Sequence, residues 1–125
     1  MNKKNAMKWV KALRSGKYKQ GRESLVRKNK EECQYCCLGV LAKINGFSED
    51  DMGGHALLTH DLVQTCEIRS ESGDAFDEDG DNIPEGIRLR VGRTNNSFDN
   101  LAGANDGGAS FKAIATWIEK NYEKL

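Results

Sequence analysis

Apolar positions recur at helical spacing near both ends of the chain. Across residues 5–15, Ala6, Met7, Val10 and Leu13 stand three and four apart with Lys8, Lys11 and Arg14 between them, which predicts an amphipathic helix stopped at Gly16. Near the other end Phe111, Ile114, Ala115, Ile118, Tyr122 and Leu125 share one stripe, and Ser110 is placed to cap that helix. Shorter signals lie between. Residues 36–44 run apolar into Asn45-Gly46, a helix closed by a left-handed stop, and residues 59–66 predict a third helix. Ile87, Leu89 and Val91 alternate with Arg88 and Arg90, the period of a strand. Residues 22–27 and 32–35 flank the polar turn Lys28-Asn29-Lys30 as arms of a short hairpin. Ser48-Glu49-Asp50-Asp51 has the form of a cap followed by acids, but Gly53-Gly54 follows so soon that a loop is expected. Residues 70–86, rich in Gly, Asp and Ser, read as an excursion between short strands. The pattern is that of an α+β fold: one compact domain over residues 1–125, more helix than strand, with a small antiparallel sheet or hairpins. No repeat or linker divides it.

At 125 residues such a chain buries roughly two-thirds of its unfolded surface in a single core. No apolar run approaches the roughly 20 residues of a membrane span, and none of about 7 to 15 follows the basic N-terminus as a secretory leader would require. A cytoplasmic protein with reduced thiols is therefore expected. Trp9 and Trp117 are candidates for the core or for an interface in a homo-oligomer.

Charge changes this picture more than composition does. The formal net charge is zero, yet residues 1–30 carry eleven Lys and Arg against Glu23 alone, while residues 31–85 carry fourteen acids against Lys43 and Arg69. Either the two blocks lie side by side and neutralise each other, or they form separate faces, one for phosphates and one for a basic protein.

Candidate chemistry concentrates at four places. Cys33-Gln34-Tyr35-Cys36-Cys37 holds three of the four cysteines. Cys33 and Cys36 have the spacing of half a zinc site that His55, His60 or Cys66 would complete, although no second short-spaced pair is present. The competing reading makes Cys36 and Cys37 small hydrophobes opening a buried helix. Cys37 is also a candidate nucleophile, but no sequence signature supplies its base. The acidic run from Asp74 to Asp81 suggests calcium, but the EF-hand register places Ala75 and Gly86 where Asp and Glu are required, leaving at most a weak site at Asp77, Asp79 and Asp81. The connector Arg14-Ser15-Gly16-Lys17-Tyr18-Lys19-Gln20-Gly21-Arg22 joins four cations, two glycines and a tyrosine after a helix, where side chains and amides can converge on an oxyanion. It lacks the spacing of a P-loop. Finally, Asn105-Asp106-Gly107-Gly108-Ala109-Ser110 reads as a loop before the last helix; its amides favour an anion and Asn105 has the chemistry to bond a base or sugar. If the first and last helices pack together, a nucleotide-like ligand would sit among Arg14, Lys17, Tyr18, Gln20, Arg22, Asn105, Asp106 and Ser110. The same residues allow a solvated basic turn and an ordinary capped helix.

Three segments carry a resemblance: residues 8–21 (KWVKALRSGKYKQG), residues 35–41 (YCCLGVL) and residues 105–115 (NDGGASFKAIA). In this order they resemble a widespread family of small bacteriophage-encoded proteins of unassigned function. The resemblance implies a phage accessory protein acting in the host cytoplasm, with no established reaction or catalytic residues. Cys36 and Cys37 fall inside its second segment, whereas Cys33 and the acidic run fall outside all three.

Three functional classes follow. The first is a non-enzymatic binding protein that takes a nucleotide or other phosphate-bearing small molecule, without a cofactor, and counters host defence by sequestering a signal. The second is an interaction module whose acidic face, residues 67–85, engages a host protein. The third is an enzyme acting on a nucleotide through Asp106 and the connector, or through Cys37. DNA ranks below these, given the zero net charge and the lack of a DNA-binding motif.

Overall fold

The computed structural model describes residues 1–29 and 31–125. The first helix, α1 (Lys3–Arg14), is capped by the Asn2 side chain and buries Ala6, Trp9, Val10 and Leu13. Trp9 thus belongs to the inward stripe and Met7 lies at its edge, half-buried. Next comes a three-stranded sheet of short strands: β1 (Lys19–Gln20), β2 (Val26–Lys28) and β3 (Cys33–Tyr35), in the order β1-β3-β2. β2 and β3 form the expected antiparallel hairpin, shorter than its predicted arms, while β1 adds a parallel edge that alternation could not announce. Of the predicted turn, Lys30 lies outside the described residues.

Helix α2 (Cys37–Ile44) enters the core with Cys36 as its cap, the Sγ accepting from Gly39 N at 3.4 Å. Gly39 is required here: a Cβ at that position would stand 1.9 Å from the Leu25 carbonyl oxygen. That carbonyl accepts from Cys36 N and ties the turn just before β2 to the start of α2. A one-turn helix, α3 (Glu49–Met52), replaces the expected loop, because Ser48 and Asp51 complete a reciprocal capping box before the glycines end it. Helix α4 (His60–Cys66) starts at Thr59 as expected. The excursion that follows is closed by isolated bridges, Asp74 with Asn100 and Phe76 with Asn82. It leads into β4 (Ile87–Val91), which pairs antiparallel with β5 (Thr94–Phe98).

Two more helices complete the chain. Helix α5 (Leu101–Asp106) takes in Asn105 and Asp106, expected to be loop, and α6 (Phe111–Asn121) is capped by Ser110 and runs into a 3-10 turn, Tyr122–Lys124. Gly108, at φ +103°, makes the bend between them. Among the described residues helix exceeds strand, and the fold is α+β. The buried side chains form one contiguous cluster in which Trp9, Leu38, Leu41, Leu101, Ile114 and Ile118 are fully enclosed. α6 lies along α1 on one side and β4 on the other. Trp117 is buried too, so both tryptophans are core residues. No helix among the described residues is long and apolar enough to cross a membrane.

Candidate functional site

The segments singled out for chemistry do meet, but their junction is a buried hydrogen-bond knot. Asn105, the one fully buried polar side chain among the described residues, sits at the end of α5. Its Oδ1 accepts from Cys37 N at 3.2 Å and from Gln20 Nε2 at 2.9 Å; its Nδ2 donates to Gly21 O at 2.8 Å and, more weakly, to Asp106 Oδ1 at 3.4 Å. A side-chain amide has two donor and two acceptor positions, and all four are taken. Gln20 is similarly engaged, donating also to Ala109 O at 2.8 Å and accepting from Phe111 N at 3.1 Å. The knot joins the connector, the start of α2 and the α5–α6 bend, which belong to the three segments of the resemblance.

This changes the roles expected for the loop residues. Asn105 is a structural amide with no bonding group left for a ligand. Gln20 satisfies the first amide of α6, and Ser110 Oγ accepts from Ala113 N at 3.1 Å. Much of the anion-binding capacity expected of that helix start is therefore used internally. Asp106 is exposed and accepts from Glu23 N at 2.8 Å, which holds the connector against α5. Glu23 itself has a positive φ of 68°, so this bond fixes an unfavourable backbone conformation.

Around the knot, the cations of the connector diverge. Arg14 turns to α6, bonding Glu119 at 2.7 Å and Thr116 Oγ1 at 3.4 Å. Lys17 lies over the Tyr18 ring, 5.8 Å from its centroid, and Tyr18 meets Tyr35 edge to face at 5.4 Å. The Arg22 guanidinium comes near Gly108. Arg14, Tyr18, Gln20 and Ser110 share a cleft of about 490 Å³ with Phe111 and Lys112, so part of the expected set does converge. Lys17, Arg22, Asn105 and Asp106 do not line it.

A second lobe opens beyond Ser110 and Lys112, which line both. It measures about 440 Å³ and lies between α6 and β4, lined by Arg88, Arg90, Lys112 and Lys120 over Leu89, Ala113 and Trp117, with Ser110, Thr116 and Asn121. No carboxylate is among its lining residues. Sequence reasoning missed Arg88 and Arg90 because their alternation was taken only as evidence of a strand. It missed Lys112 and Lys120 because they are polar positions on an amphipathic helix. The available signal was that every charged residue of β4 is an arginine, but only the fold sets β4 beside α6.

The other candidate centres are dispersed or enclosed. Cys36 caps α2, Cys37 Sγ donates to Leu101 O at 3.6 Å, and Cys66 Sγ to Leu41 O at 3.9 Å. His60 is exposed and accepts from Gln64 Nε2. Among the described residues no three His, Cys, Asp or Glu side chains gather as a metal ligand set. Burial pushes the Cys36 thiol up to about 11 and that of Cys66 to about 12, and raises Cys37 well above the ordinary thiol range. These thiols are protonated at neutral pH, which opposes the nucleophile reading for Cys37. In the acidic run, Asp77 Oδ1 accepts from both Asp79 N and Asp81 N at 2.9 Å, so the loop closes on itself.

The charge blocks touch at Lys19–Glu32, 2.6 Å, and Lys28–Asp50, 2.9 Å, both well exposed. Such pairs contribute little to stability. A stronger polar cluster lies between β3, α2 and α3: Tyr35 Oη donates to Glu49 at 2.6 Å and Lys43 Nζ approaches the same oxygen at 2.9 Å. The Tyr35 hydrogen bond, then that from Lys43, lowers Glu49 to about 2.

No curated protein and no solved structure matches the chain. Residues 1–122 match the family described as a domain of unknown function, DUF8296, and the chain belongs to that family.

Proposed function

We propose that the protein binds a phosphate-bearing small molecule in the groove along α6 and acts by holding it rather than converting it. The observation that carries this reading is the lobe between α6 and β4, where Arg88, Arg90, Lys112 and Lys120 surround an apolar floor with no carboxylate among the lining side chains. Guanidinium groups suit phosphate because their donors form a planar fork, and the floor offers contact to an apolar or aromatic part of the ligand. A volume of about 440 Å³ falls within the range of small-molecule sites, roughly 300 to 1,000 Å³. The protonated thiols favour binding over thiol chemistry. The likeness to small phage-encoded proteins supplies the proposed setting: an accessory protein in the host cytoplasm that removes a nucleotide signal from a defence response.

Calorimetry and thermal shift with cyclic dinucleotides, ADP-ribose derivatives and mononucleotides test the reading, with chromatography to establish whether a bound ligand is recovered intact. Arg88→Gln and Lys120→Gln should each weaken binding severalfold without lowering the melting temperature of the free protein, since both side chains are exposed. Affinities no tighter than about 10 μM across the panel would sink sequestration.

A further inference from the structure

We infer that the phosphate site along α6 extends to single-stranded nucleic acid, holding successive phosphates of a short strand more tightly than those of a lone nucleotide; this rests on the reading of the groove as a phosphate site. The two lobes, about 440 and 490 Å³, are neighbours that share Ser110 and Lys112 in their linings, the first beside α6 and the second at its start. Lys112 and Lys120 stand eight residues apart on that helix, about 12 Å along its axis. A mononucleotide concentrates its phosphates at one end, whereas this groove distributes cations along its length: Lys120 at one end, Arg88 and Arg90 beside the middle, Lys112 at the junction. The second lobe adds Arg14, whose partner Glu119 leaves it still partly exposed. The half-buried Tyr18 ring lines the second lobe, while the buried Trp117 contributes only to the floor of the first. Cations along a groove with aromatic surfaces between them are the means by which single strands are held without sequence readout.

A duplex does not suit this surface. To read the major groove a helix must enter a channel about 12 Å wide, but α6 is set into the fold by Phe111, Ile114, Ala115 and Ile118 and flanked by α1 and β4. A strand lying in the groove can reach the lysines and arginines that a stiff duplex would span.

The test is fluorescence anisotropy of the full chain with labelled oligo-dT and oligo-U of about two, four and eight nucleotides, and the matching duplexes. Affinity should rise with strand length and level off once the groove is filled; the dT and U arms decide between DNA and RNA as the source. Neutralising three to four phosphates gives a log–log salt slope of about −2 to −3, a loss of roughly 15- to 60-fold between about 50 and 200 mM salt. Arg88→Gln and Lys120→Gln should each reduce the slope by about 0.7. Mononucleotides binding as tightly as the longest strands, or duplexes binding as tightly as single strands, would overturn the inference while leaving the phosphate site standing. If no phosphate ligand of any length binds, both readings fall.

Discussion

Replacing Asn105 with alanine is the sharpest test of the knot. The substitution removes three good hydrogen bonds, to Cys37 N, Gln20 Nε2 and Gly21 O, from a fully buried position. Gln20 is only half-buried and keeps Ala109 O and Phe111 N, so it loses little more than one net hydrogen bond, about 1 kcal/mol. The Cys37 N–H and the Gly21 C=O are left enclosed without that partner, at about 1 to 3 kcal/mol each. Partial relaxation brings the expected loss to about 4 kcal/mol, at the upper end for single substitutions. A chain of 125 residues has an unfolding entropy of about 0.26 kcal/mol/K, so the melting midpoint should drop by about 15 °C. Urea titration should show the same loss as a lower midpoint with an unchanged slope. Asn105→Asp gives a second readout. The carboxylate cannot donate to Gly21 O and would be charged in full burial, which raises its folded pKa; relative to the native protein, the variant should recover stability as pH falls towards about 4. A loss of no more than about 0.5 kcal/mol for Asn105→Ala, the size of an ordinary surface substitution, would refute the knot and return the amide to the candidate ligand contacts.

Two further outcomes follow from the enclosed polar groups. Native protein treated with a thiol reagent should take up one adduct per chain, at half-buried Cys33, because Cys36, Cys37 and Cys66 are buried and protonated; rapid labelling of two or more thiols by intact mass, without unfolding, would contradict the packing of α2. Glu49, lowered in the fold to about 2, contributes stability that is complete above the ordinary glutamate value of about 4.3 and is lost as pH falls towards 2. Glu49→Gln should therefore flatten the acid limb of the stability profile over that interval, and an unchanged profile would show that Tyr35 and Lys43 do not hold it as described.

What the sequence made legible is what periodicity can carry. α6 declared itself because its stripe is long and Ser110 stands where a cap belongs. The start of α2 was legible as a buried turn because three cysteines precede an uninterrupted apolar run. β5 was not, since Thr94-Asn95-Asn96-Ser97-Phe98 has no apolar alternation and owes its conformation to pairing with β4. α5 was hidden for a related reason: it has six residues, two of them Gly and Asn, and its cap, Asn100, reads equally well as a turn residue. The misjudged role of Asn105 has the same root. An asparagine near glycines and a serine has the composition of an exposed turn, and only the docking of the connector against α5 and α2 reveals that the side chain points inward.

That docking separates what the three segments do in the fold from what the proposed ligand site requires. The three segments that carry it supply Gln20 and Gly21, Cys37, and Asn105 with Ala109 and Phe111, the groups that bond one another in the knot. In this chain the three are tied together by folding: each contributes donors or acceptors that the other two would otherwise leave buried and unpaired, at a cost of whole kilocalories each. The groove's charge has a different origin. Of its cations, Lys112 and Arg14 lie within the segments, but Arg88, Arg90 and Lys120 lie outside them, on the exposed sides of β4 and α6 where packing does not dictate the residue. Chains that share the three segments are therefore expected to share the knot, and with it the placement of α1, α2 and α6, whereas affinity for phosphate has to be established for each chain from the residues that flank α6.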